Sequence, residues 1–114
     1  MTNIEKLREQ FLRDPLPRRL GILAAALGRI SSTARNSTDP EGIVNLLEQT
    51  SCFIEWTVPE TAPAMAAELK QINIIIGMWK KSWVTASRIP QQRTLLAAQT
   101  KNWSDKVTKF AGMV

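Results

Sequence analysis

Residues 72–83 read INIIIGMWKKSW, and the assignment of this segment decides the fold. Three consecutive isoleucines suggest a buried strand or a fragment of a membrane span. The basic, aromatic tail suggests a surface patch. The residues around it resolve the choice. Met65, Leu69, Ile72, Ile76, Trp79, Trp83 and Ala86 recur in alternating steps of four and three, which is the apolar repeat of a helix and not the alternation of a strand. Ile74 and Ile75 fall to either side of this seam and broaden its apolar arc. Gly77 leaves room for a close neighbour. Lys80 and Lys81 flank the seam, where their stems cover apolar surface while their charges stay wet. The segment reads as the spine of a helix over 62–87. Thr61 is placed to cap it, and Pro63 is tolerated in its first turn.

The same repeat extends outward in both directions. Upstream, Ile43, Leu46, Leu47, Thr50, Phe53 and Ile54 share one face of a helix over 40–57, with Asp39 as N-cap, Pro40 in the first position and Glu41 near the positive end of the dipole. Before it, Leu16, Leu20, Leu23, Leu27, Ile30 and Ala34 form a heptad seam in a helix over 15–35, with Asp14 as its cap. That helix gives way within SSTARNSTDPEG (31–42), where Ser, Thr, Asn and Asp compete for backbone hydrogen bonds. Its middle, LGILAAALG, is small and apolar nearly all round. Each glycine there costs ~1 kcal/mol against alanine, and a close backbone approach is the usual compensation. Downstream, Leu96, Gln99, Trp103, Val107 and Phe110 mark a helix over 90–111, with Gly112 placed as a C-terminal cap. Residues 1–13 carry Ile4, Leu7 and Phe11 at helical spacing.

Four amphipathic helices with short connections predict an all-α, up-down-up-down four-helix bundle with an extra short N-terminal helix. The 114 residues suit a single domain. The composition, 44% hydrophobic and 22% charged, is that of a globular chain and not a disordered one. One cysteine, Cys52, cannot close an internal disulfide. MTNIEKLREQFLRD lacks the apolar region of a signal peptide, and no apolar stretch approaches the ~20 residues of a membrane span. The expectation is a soluble, cytoplasmic protein.

The chain has no histidine and no tyrosine. That removes the usual general base, the commonest transition-metal ligand and the phenol acid. A Ser-His-Asp or Cys-His device is excluded, as is a Cys/His zinc site. Glu41, Glu48 and Glu55 stand seven apart opposite the apolar stripe and read as a solvated acidic face. Lys80 and Lys81 read as exposed amines, and Cys52 as an inert, partly buried thiol. No catalytic residue, metal site, cofactor or small-molecule substrate is implied.

Net charge is +5, unevenly distributed. Residues 18–35 hold four arginines and no acid, residues 36–63 hold five acids and no base, and residues 80–114 hold seven bases against Asp105. Complementary pairing between helices or between subunits is the first reading. The second is a basic face on the last two helices, made by Lys80, Lys81, Arg88, Arg93, Lys101, Lys106 and Lys109, that binds nucleic acid. No helix-turn-helix spacing, aromatic RNP-type strand or Gly-rich phosphate loop supports it. Membrane binding is disfavoured, because the bundle buries the face that would insert. Surplus apolar surface favours a non-enzymatic interaction module that self-associates as a homodimer or captures a protein partner. The candidate self-association residues are Gly21, Ala25 and Gly28 on one helix and Ile4, Leu7 and Phe11 on the N-terminal one.

Overall fold

A computed structural model describes residues 3–36 and 39–114. They form α1 (Asn3–Leu12), α2 (Leu16–Asn36), α3 (Pro40–Thr57), a 3-10 turn at Val58–Glu60, α4 (Pro63–Ala86) and α5 (Pro90–Met113). The fold is all-helical, and no strand occurs among the described residues. Pro40, Pro63 and Pro90 each open a helix, where their missing N–H is not needed. The Asp39 carboxylate caps α3 by accepting from the Glu41 N–H at 3.1 Å. Three terminal details differ from expectation. Ala62, not Thr61, is the N-cap of α4, and the Thr61 hydroxyl donates back to the Val58 carbonyl at 2.8 Å. Asp14 pairs through its carboxylate with Arg18 at 3.4 Å. Helix α5 continues through Gly112 to Met113.

The seam on α4 lies inward without exception: Met65, Leu69, Ile72, Ile76, Trp79, Trp83 and Ala86 are all buried. They meet Leu20, Leu23, Leu27, Ile30 and Ala34 of α2, Ile43, Leu47, Phe53 and Ile54 of α3, and Leu96, Trp103 and Val107 of α5 in one core. The molecule measures 38 × 33 × 20 Å, a thickness that fits two helix layers packed ~8–10 Å apart.

The helix pairs are unequal. Helices α2 and α5 make by far the closest pairing. Their seam is built from small residues: Ala24, Gly28 and Ser31 on α2, and Ala97, Thr100 and Ser104 on α5. The Ser31 hydroxyl donates to the Ala97 carbonyl and the Ser104 hydroxyl to the Ala24 carbonyl, each at 2.7 Å. Advancing along α2 from Ala24 to Ser31 moves backwards along α5 from Ser104 to Ala97, so the two run antiparallel. A hydroxyl reaches a carbonyl on a neighbouring helix only when the backbones stand close. Gly28 belongs to this approach, since a Cβ there would touch the Ser104 Oγ at 3.5 Å. Helices α3 and α4 pair next, with the Ser51 hydroxyl donating to Asn73 Oδ1 at 2.7 Å. Helices α4 and α5 share few close backbone approaches. They are joined by long side chains: Trp79 Nε1 donates to Gln99 Oε1 at 2.6 Å, and Lys106 pairs with Glu68 at 2.8 Å.

Gly21 and Gly77 do not serve a close approach. A Cβ at either position would meet nothing within 4 Å. Both sit inside helices with ordinary backbone angles, so each loses helix propensity with no packing return. Gly21→Ala and Gly77→Ala are each expected to stabilise the fold by about 0.5–1 kcal/mol, read as a rise in urea midpoint. A loss at either position would show that a neighbour needs the space.

Arg19 is 3% exposed. Its Nε donates to the Asp14 carbonyl at 3.0 Å and its Nη1 pairs with Glu60 at 2.5 Å. The bond from Arg19 holds the Glu60 carboxyl below its ordinary value of 4.5, against a smaller opposing effect of desolvation. A depressed folded-state pKa means that the unfolded chain takes up the proton first. The ionised pair therefore supports folding above the ordinary value, and this support fades as pH falls through the folded one. Wild type and Glu60→Gln should differ by a constant stability increment well above the ordinary value of 4.5 and converge as pH falls below the depressed folded-state value. Urea titrations across that window check it, and parallel curves would remove Glu60 from the acid response.

Candidate interaction surfaces

The exposed large apolar residues lie on α4 and α5, on α1, at the α4–α5 turn and at the C-terminus. Ile74 and Met78 on α4 are 61% and 65% exposed, and Leu95 on α5 is 50% exposed. Ile74 and Met78 are one helical turn apart and form a ridge with Lys70 before them and Ser82 after. Between this ridge and α5 runs an open groove of about 310 Å³ lined by Ile75, Met78, Trp79, Ser82, Gln92, Leu95 and Gln99. Its floor is Trp79, whose indole edge is held by the bond to Gln99. The groove exists because α4 and α5 carry Trp79, Trp83 and Trp103 inward, where the α2–α5 seam has alanine, glycine and serine. Wide side chains keep the backbones apart, and the outer half of the seam is left unfilled. Ile74 was expected to widen the buried arc of α4; it faces outward instead.

The candidate self-association residues separate into two groups. Phe11 is 4% exposed and stacks on Phe53 with ring centroids 4.6 Å apart, with Trp56 at 5.9 Å. Gly28 faces α5. Both are engaged within the chain. Ile4, Gly21 and Ala25 are exposed and Leu7 is half-buried. Around Phe11, α1 is loosely seated: an open recess of about 590 Å³ separates Ile4 and Leu7 from Leu46 and Gln49 of α3.

The seven basic residues do not form one face. Lys106 is paired with Glu68, and Lys101 with Asp105 at 2.8 Å. Lys80 lies half-buried on the α3 side of α4, close enough to Cys52 for its charge to act on the thiol. Lys81 and Lys109 are exposed. Arg88 and Arg93 come together in a recess of about 450 Å³ with Pro40, Val84 and Ser87, at the end of the molecule where α3 begins and α4 turns into α5.

Glu41, Glu48 and Glu55 are all exposed on α3. Among the described residues, no group of three His, Cys, Asp or Glu side chains is placed to hold a metal ion, and no helix is long and apolar enough to cross a membrane. Burial, followed by the Glu55 and Glu48 charges, pushes the Cys52 thiol above its ordinary value, and Lys80 opposes this weakly. A thiol held protonated in this way is a poor nucleophile.

Two features were not anticipated. The first is the buried Arg19, which lies beside the seam one turn before Leu23; that position was the available signal. The second is the groove. Its residues were visible in the sequence, but the spacing of the two helices that open it was not. No protein-family model, curated protein or solved structure matches the chain.

Proposed function

We propose that this chain is a non-enzymatic helical module for protein–protein interaction and that the α4–α5 groove is its main binding face. The observation that carries this reading is the groove in which Ile75 and Met78 stand with Leu95 over a tryptophan floor, with the exposed Ile74 one turn before Met78. Apolar side chains gathered this way gain free energy when a partner covers them. The thin catalytic inventory, with neither histidine nor tyrosine, supports the non-enzymatic part. In this reading α2 to α5 form an up-down-up-down four-helix bundle, with α1 laid against α3. The antiparallel bonds of α2 with α5 and the short connections support that arrangement. A cytoplasmic setting fits the lone cysteine.

Self-association has less surface at its disposal than the sequence suggests, because Phe11 and Gly28 are used within the chain. Nucleic-acid binding is the second reading, and the observation that favours it is the convergence of Arg88 and Arg93 in one polar recess. Guanidinium groups brought together are a phosphate-binding arrangement.

The test is a photo-crosslinking residue placed at Met78 or, as a control, at Glu48 on the opposite acidic face, in the full chain within the cells that make it. Met78 is expected to yield discrete protein adducts and Glu48 none. Equal labelling from both positions, or none from Met78, sinks the assignment of this face. Light scattering on the purified chain separates a captured partner from a homodimer.

A further inference from the structure

We propose that the α4–α5 groove takes a single amphipathic α-helix from another protein, one whose apolar residues are bordered by aspartate or glutamate. This rests on the reading of that face as an interface and adds the chemistry of the partner. Charge is the first argument. Helices α4 and α5 carry seven bases and two acids. Both acids are already taken, Glu68 by Lys106 and Asp105 by Lys101. Lys70 stands one turn before Ile74, and Lys81 less than one turn after Met78, so the apolar ridge has a positive charge at each end. A partner with acidic borders completes these pairs, and a basic one is repelled.

Shape is the second argument. The groove runs between two antiparallel helices and is concave, with about 310 Å³ of space, at the small end for a ligand pocket. That suits a row of side chains projecting from a helix laid along it, recognised at i, i+3 and i+4 spacing. A bilayer offers a flat surface that leaves a tryptophan floor uncovered. A second copy of this chain fits poorly. Brought together through the same face, two copies set Lys70 and Lys81 against their own kind. Its acidic helix, α3, has glutamates but no exposed large apolar residue to fill the groove.

The experiment uses the full chain and three synthetic 16-residue peptides. All share leucines at i, i+4, i+7 and i+11, and the remaining positions are rich in glutamate, lysine or glutamine respectively. Fluorescence anisotropy gives the affinities, and the indole N–H resonance of Trp79, assigned with Trp79→Phe, reports where binding occurs. The glutamate peptide is expected to bind at least ~10-fold more tightly than the lysine peptide in low salt, with the gap narrowing as salt rises. Met78→Asp, at an exposed position, should weaken it ~10-fold or more with the helical circular dichroism intact. Lys70→Glu with Lys81→Glu should transfer the preference to the lysine peptide, which a merely structural effect would not do. If all three peptides bind alike and Met78→Asp weakens each of them, the face remains an interface and the acidic partner is wrong. If none binds and Met78 also yields no crosslink, both readings fall. A Trp79 shift caused by phosphatidylserine vesicles or by polyuridylate, with none from the glutamate peptide, overturns the proposal in favour of a lipid or nucleic-acid surface.

Discussion

Trp83→Ala is expected to destabilise the fold by about 3–5 kcal/mol, a large part of the ~5–15 kcal/mol that holds a domain together. Trp83 is 1% exposed and is among the largest side chains fully enclosed in the core. Its ring meets Trp79 edge to face, with centroids 5.9 Å apart and planes at 72°. Truncation removes both the buried area and the aromatic contact, and leaves a cavity between α4 and its neighbours. Trp83→Phe should behave very differently. The indole Nε1 of Trp83 is buried and has no hydrogen-bond partner among the described residues, whereas that of Trp79 donates to Gln99. An unsatisfied buried donor costs ~1–3 kcal/mol. Phenylalanine removes this donor and keeps most of the apolar bulk, so its net cost should stay below about 1.5 kcal/mol. Urea unfolding of both variants checks the pair. Equal losses would show that the Trp83 N–H is satisfied in solution.

The contrast between these two tryptophans marks how far the sequence could be read. Heptad spacing identified the inward face of α4 residue by residue, because a helix turns at a fixed rate and burial follows that rate. Spacing does not say which helix a face meets, or how closely. Ala97 and Thr100 are fully buried, but small residues leave little trace in an apolar repeat, and α5 was recognised by its larger side chains alone. The glycines differ for a related reason. A glycine inside a helix suggests a close neighbour, and this holds for Gly28 but not for Gly21 or Gly77. The local sequence is equally permissive at all three positions; the difference lies in the helix opposite.

The groove follows the same logic. Ile74, Ile75 and Met78 were legible as apolar, and the surplus of apolar surface was legible as a sign of an interface. Its location depends on the α4–α5 separation, which is set by tryptophans from both helices acting together. Charge shows a similar division. The excess of base on the last two helices is plain in the sequence, but Lys101 and Lys106 are neutralised by neighbours, and Arg88 and Arg93 share one recess where three helix ends converge.

Ala97→Leu tests the part of the architecture on which the groove depends. Ala97 is fully buried, and its carbonyl accepts the Ser31 hydroxyl across the α2–α5 seam. Leucine cannot be accommodated there unless the helices separate. Separation breaks that bond and the matching one from Ser104 to the Ala24 carbonyl. Overpacking of a tight core costs ~1–3 kcal/mol and the two lost hydrogen bonds about 1 each, so the expected loss is about 3–5 kcal/mol. Ala98 is the next residue and is exposed; Ala98→Leu should stay within about 0.5 kcal/mol of wild type. The urea midpoint should fall for the first variant and hold for the second, with the slope unchanged in both. Matching midpoints would mean that α2 and α5 have slack between them. The consequence reaches the proposed binding face, because α5 forms one wall of the groove and its position is fixed mainly from the α2 side. At temperatures where Ala97→Leu is still folded, it should weaken glutamate-peptide binding without touching any groove residue. Ala98→Leu should leave that affinity unchanged.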